Sequence, residues 1–177
     1  MRKALKYVII FLFTIGVLFS LCSCRLEESY KEFIIKDITD YKDEDYFSSD
    51  RFDFARVDDV VIIPTINPGA SEYTLWISAH SENASETVII KKMLLKEKEI
   101  VLLNYDLNQE VEFKENGESA YKGTIRARFT DEEVEIKSGK KFELVIEAEV
   151  IKNGTSISKS ITYEIEVKGY RSFVLPT

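Results

Sequence analysis

The chain is predicted to be an all-β protein, a single antiparallel immunoglobulin-like β-sandwich. Three observations point there. Apolar and polar residues alternate with period two in four stretches after Val60, the mark of strands with one buried face. Asn-Gly occurs at 116–117 and 153–154, the dipeptide that favours two-residue hairpin turns. No long helical period interrupts these strands.

Taken in order, "YTLWISAH" sets Tyr73, Leu75, Ile77 and Ala79 on one face, with Trp76, Ser78 and His80 on the other. "AYKGTIRARFT" turns Tyr121, Ile125, Ala127 and Phe129 inward and Lys122, Thr124, Arg126 and Arg128 outward. "KFELVIEAEVIK" buries Phe142, Leu144, Ile146, Ala148 and Val150, and exposes Glu143, Glu147 and Glu149. "SISKSITYEIEVK" repeats the device with Ile157, Ile161, Tyr163, Ile165 and Val167. Pro68-Gly69 and Ser138-Gly139 mark further turns. Seven to nine short strands with such turns define a sandwich. The stretch "ISAHSENASETVIIKKMLL" resembles the strand, polar turn and strand of bacterial immunoglobulin-like envelope domains, which implies the same fold and no activity.

Residues 25–59 differ from the rest: twelve acids, six bases, seven aromatics and neither Gly nor Pro. Leu26, Tyr30, Phe33 and Ile34 fall at helical spacing, which predicts a short amphipathic helix. The segment reads as an acidic, aromatic spacer whose rings dock partly on the domain, because apolar side chains are usually buried. The alternative is an arm that captures a partner.

The first residues carry Arg2, Lys3 and Lys6, followed by an apolar run from Tyr7 to Leu21 that ends in "LCSC". Fifteen residues are short for a membrane span, which needs about 20, and fit a secretory signal. Leu21, Cys22, Ser23 and Cys24 resemble the lipobox of a bacterial lipoprotein signal, over residues 1–24 only. That resemblance implies cleavage after Ser23 and lipid attachment at Cys24 (diacylglyceryl, palmitate), several acyl chains giving the stable anchor that one alone does not. Together with the composition of residues 25–59 and the alternation from Val60 onward, it divides the chain into a signal peptide at 1–23, a lipid-anchored spacer at 24–59 and a β-sandwich at 60–177. It also implies a place on the outer membrane of a diderm cell, since Arg25 is not the retention Asp. In a monoderm cell it implies the outer face of the cytoplasmic membrane.

The two cysteines lie at 22 and 24, so the domain beyond them has no thiol. Disulfides, thiolate metal sites and cysteine nucleophiles are thereby excluded from it. Setting aside Arg2, Lys3 and Lys6 leaves 21 bases against all 31 acids, a net charge of −10. Such a surface repels nucleic acid, and none is expected as a partner.

Candidate sites are few. His80 is the only histidine, with no GxSxG or HExxH motif beside it; it reads as a surface or structural residue. Trp76 lies on an outward face, where an indole can stack on a sugar or anchor an interface. The competing reading has residues 25–59 or the second sheet covering it. The acidic run "DITDYKDEDYFSSDRFD" lacks the glycine and terminal glutamate of an EF-hand, and no metal or cofactor is expected. The Arg126/Arg128 and Glu143/Glu147/Glu149 faces are expected to form cross-strand charge pairs. "YRSFVLPT" reads as the end of the last strand, or as a tail for strand addition to a partner. No catalytic residue stands out. The expected function is a non-catalytic binding, assembly or accessory module of the envelope, with Trp76 and His80 as contact candidates for an envelope protein or glycan. The competing classes are a carboxylate hydrolase and an inhibitor or immunity lipoprotein.

Overall fold

The computed structural model describes residues 25–38, 46–69, 72–83, 85–115 and 120–174. The signal, the lipobox and Cys24 therefore lie outside the described residues, as does the Asn116-Gly117 turn. The chain divides into two compact units, Glu32–Lys168 and a second that takes the residues before Glu32 and after Lys168. In the second unit, Arg25–Lys31 and Gly169–Val174 are strand segments, so Phe173 and Val174 finish a strand.

The strands are β1 (Arg25–Ile35), β2 (Arg56–Val57), β3 (Val60–Pro68), β4 (Glu72–Ser81) and β5 (Thr87–Glu97). They continue with β6 (Ile100–Val111), β7 (Lys114–Glu115), β8 (Tyr121–Thr130), β9 (Lys141–Lys152) and β10 (Thr155–Val174). Two of the ten, β2 and β7, are only two residues long. One sheet has the order β1-β10-β9-β5-β6 and the other β2-β3-β4-β8-β7. Within these, β3-β4-β8-β7 corresponds to the A-B-E-D order of an immunoglobulin sandwich, and β10-β9-β5-β6 to G-F-C-C′. The fold is an antiparallel two-sheet sandwich with immunoglobulin connectivity.

The inward residues of β4, β8 and β9 are where the alternation predicts them: Leu75, Ile77, Phe129, Leu144 and Ile146 are buried. Strands β4 and β9 take the B and F positions, which carry a disulfide in antibody domains. Here apolar side chains fill the core instead, each worth about 1.5–3 kcal/mol when fully buried. Tyr163 of β10 is buried too, its hydroxyl donating to the Ile62 carbonyl. Ile157 departs from the expectation at 42% exposed. It lies beside the Asn153-Gly154 turn, at the tip of the β9–β10 hairpin. Both turn residues have positive φ, 50° and 77°, as the two-residue hairpin requires.

The amphipathic helix expected from Leu26 to Ile34 is a strand instead, β1. Spacing alone did not separate the two periods over so short a run, and pairing beside β10 selects the extended form: Lys36 N–H bonds the Glu164 carbonyl at 2.9 Å. Residues 32–38 and 46–59, parts of the segment read above as a spacer, contribute side chains to the core of the larger unit. Phe33, Ile35, Ile38, Tyr46, Phe52, Ala55 and Val57 are all buried. Phe33 meets Tyr73 edge-on at 5.4 Å, and Tyr73 stacks on Phe129 at 5.1 Å. A short 3-10 helix, Asp50–Ala55, is capped by the Ser49 side chain. Lys159 of β10 holds this segment from outside by donating to the Asp53 and Arg56 carbonyls at 3.1 and 2.8 Å.

Candidate binding face

Two constellations stand out, one internal and one on a sheet face. The internal one gathers where β2 turns into β3, where β5 begins and where β9 ends. Glu86 is buried there, with Ser81 donating to its Oε2 at 2.6 Å. Its Oε1 has the Lys152 ammonium 3.1 Å away, an ionic contact without a well-aligned hydrogen bond. Lys152 also meets Asp58 at 3.5 Å and Asp59 more closely. Ligand atoms of Asp58, Asp59 and Glu86 lie within 4.8 Å of one another, a metal-like grouping. The lysine ammonium already provides its cation, so the cluster acts as a clasp tying three loops together. The close contacts with Asp59 and Glu86 raise the Lys152 pKa well above the usual lysine range. No sequence motif announces this cluster, because its members are spread from residue 58 to residue 152.

The second constellation is the outer face of sheet β2-β3-β4-β8-β7. Directly paired residues share a face, so the register fixes its rows. Thr65, Trp76 and Arg126 form one, and Asn67, Thr74 and Arg128 the next. Ser78 and Thr124 form a third with their hydroxyls 3.3 Å apart. Lys122 lies beyond, opposite Lys114 of β7.

The two sequence candidates part company here. His80 is buried beneath Tyr46, with ring centroids 4.7 Å apart; it is a packed histidine, covered by the segment that the competing reading named. Trp76 is only half-buried. Its neighbour is Arg126, whose guanidinium carbon sits 5.6 Å from the indole centroid, within cation–π range. Arg128 reaches Glu72 at 3.5 Å across strands. The opposite sheet carries its own ladder, including Lys91–Glu149 at 3.0 Å and the register pairs Lys92↔Glu147 and Lys96↔Glu143. Of the arginine and glutamate faces expected to form cross-strand pairs, Arg128 and Glu149 thus form ion pairs, each within its own sheet. The outward residues of β8 are basic or hydroxylated, whereas Glu143, Glu147, Glu149, Glu164 and Glu166 crowd the outside of the other sheet. Arg126 has no acidic partner among the described residues.

The acidic run is described only in part. Asp37 lies 3.8 Å from Arg51, and Asp53 lies 3.5 Å from Arg56, so these carboxylates face bases of the same segment. Among the described residues, no helix is long and apolar enough to cross a membrane.

No known family model matches this chain, and no curated protein matches it. Among solved structures, the crystal structure of the MHC-like protein MILL2 superposes with a TM-score of 0.30 and 10% identity. The match covers 59% of this chain and 34% of that one. A likeness at that level carries no argument; the strand order above defines the fold.

Proposed function

We propose that this protein is an exported, lipid-anchored envelope protein acting as a non-catalytic binding or accessory module. The lipobox at Leu21–Cys24 supports the anchor. The observation that carries the binding role is the Trp76–Arg126 pair on an open sheet face. Neighbouring strands hold an aromatic ring and a cation, without an acidic partner among the described residues, in a fixed register on the outside of the fold. Rigid strands limit the ordering cost of association, the general advantage of preorganised surfaces.

Two measurements test the reading. Cys24→Ala is expected to leave the precursor uncut and to shift the protein out of the lipid-labelled membrane fraction, read by acyl-label incorporation and fractionation. A variant that still matures and takes label would remove Cys24 as the anchor. In-cell crosslinking and pull-down of the tagged full chain is expected to recover an envelope component, with recovery reduced by Trp76→Ala. Unchanged recovery from Trp76→Ala would remove this face as the contact, and an empty pull-down under conditions that trap neighbours would overturn the protein-accessory form of the proposal.

A further inference from the structure

The open sheet face narrows the chemistry of what it contacts. Trp76 is the one large apolar side chain on the uncovered part of the face described here. Val61, Ile63 and His80, which share the face at its other end, are buried. Among the described residues, the exposed large apolar side chains, Phe54, Ile100, Val101, Ile157 and Tyr170, lie elsewhere. Around the indole stand Thr65, Thr74, Ser78 and Thr124, with Asn67 one row away. A protein interface centres on an apolar core with several anchors, and this face has one ring set among hydroxyls. A ring that stacks against a polyhydroxylated partner and is flanked by hydrogen-bonding groups suits a sugar.

The charge supplies the second half of the argument. The guanidinium of Arg126 lies over the indole, with Arg128 two residues along the same strand. Their neighbour Glu72 engages Arg128, while Arg126 faces no carboxylate among the described residues. Arginine combines aromatic stacking with a planar fork matched to carboxylate or phosphate. A cation held over the ring without an acid beside it is poised for an anionic group carried by the same ligand. The protein is strongly acidic overall, so this patch runs against its own background. The long-range field opposes nucleic acid and anionic membrane, whereas a short-range site still admits a ligand that supplies both a ring and an acid.

We infer that the outer face of β3-β4-β8 binds an acidic polysaccharide, with a sugar ring on Trp76 and its anionic substituent on Arg126. This rests on the binding-module reading above and names the ligand class of that same face.

The test uses the full-length protein in non-ionic detergent, run in native gels cast with alginate, a carboxylated polysaccharide, or with neutral dextran. Vesicles of phosphatidylglycerol and a single-stranded oligonucleotide serve as competing anions. Retardation by alginate but not dextran is expected. Trp76→Ala and Arg126→Gln should each weaken it about tenfold, the size of one lost contact of this kind. Lys91→Ala on the opposite sheet should leave it unchanged. Trp76→Phe, which keeps a ring in the row, should retain part of the binding; with Arg126→Gln it keeps the test decisive even if Trp76→Ala does not fold. No retardation by alginate overturns the inference. So does loss with Arg126→Gln but not with the tryptophan variants, which means charge attraction alone. Binding to vesicles or oligonucleotide through these residues, in place of alginate, overturns it as well. A protein partner recovered by crosslinking without any alginate binding removes this inference and leaves the binding-module reading standing.

Discussion

Replacing Lys152 by Ala is expected to lower the melting temperature by a few degrees. The change strands Glu86, a buried carboxylate, without its counter-charge, and leaves Asp58 and Asp59 beside it. Glu86 alone of the group is fully buried, and a buried charge that loses its partner stays desolvated. Glu86→Gln in the Lys152→Ala background should recover part of the loss, since the amide carries no charge and still accepts from Ser81. A Lys152→Ala protein that melts with the parent would show that the clasp contributes nothing. The same cluster gives a pH dependence. Lysine titrates near 10.4 in the unfolded chain, and the folded pKa of Lys152 is raised by Asp59 and Glu86. The folded state therefore holds the proton longer, and the contribution is fully present below about pH 10.4. It is lost as pH rises from there towards the folded value. Lys36 and Lys140, whose pKa values are also raised, add to this alkaline slope. The difference between parent and Lys152→Ala in denaturant melts from pH 9 to about 11.5 isolates the clasp; equal slopes would refute it.

Gly123→Ala is the second substitution with a large expected effect. Gly123 lies inside β8 opposite Ala79, where the chain leaving β6 crosses from one sheet to the other. A Cβ there would stand 2.2 Å from Val111 Cγ1 and 2.7 Å from the Glu112 carbonyl oxygen. The first contact can be relieved by a side chain, but the second is backbone. Overpacking of a tight core costs about 1–3 kcal/mol, and the backbone clash puts this change at the upper end. Equilibrium denaturation should show the loss, and adding Val111→Ala should restore only part of it. Full recovery in the double variant would mean that the carbonyl does not limit the approach. A glycine within a strand often marks such a close backbone approach, although the sequence does not show which segment approaches.

Local patterning was sufficient for much of the sandwich. The alternation in β4, β8 and β9 assigned the apolar inward face of each strand because side chains alternate strictly along a strand; His80, on the other face of β4, is buried by Tyr46 instead. Asn153-Gly154 announced its hairpin because both positions need positive φ. The same reasoning failed where a run was short or ended at a tip. Leu26 to Ile34 matched a helical spacing over fewer than three turns, and strand pairing overrode it. Ile157 kept the period but lies where the hairpin ends. Tyr46 and Phe52 carried no period at all, and their burial follows from contacts with His80 and with each other.

The candidate sites divide along the same line. That Trp76 and Arg126 both face outward was legible, and so was the confinement of cysteine to the first 24 residues. That they are neighbours was not: fifty residues separate them, and only the antiparallel register of β4 with β8 brings guanidinium over indole. The clasp of Asp58, Glu86 and Lys152 is likewise a product of sheet order, which brings the end of β9 to the start of β5. By itself the sequence determined which face of β4, β8 and β9 turns inward and where the β9–β10 hairpin turns, since these depend on neighbours along the chain. Tertiary structure alone decided which strands meet and which charges pair, since these depend on contacts between residues far apart in sequence.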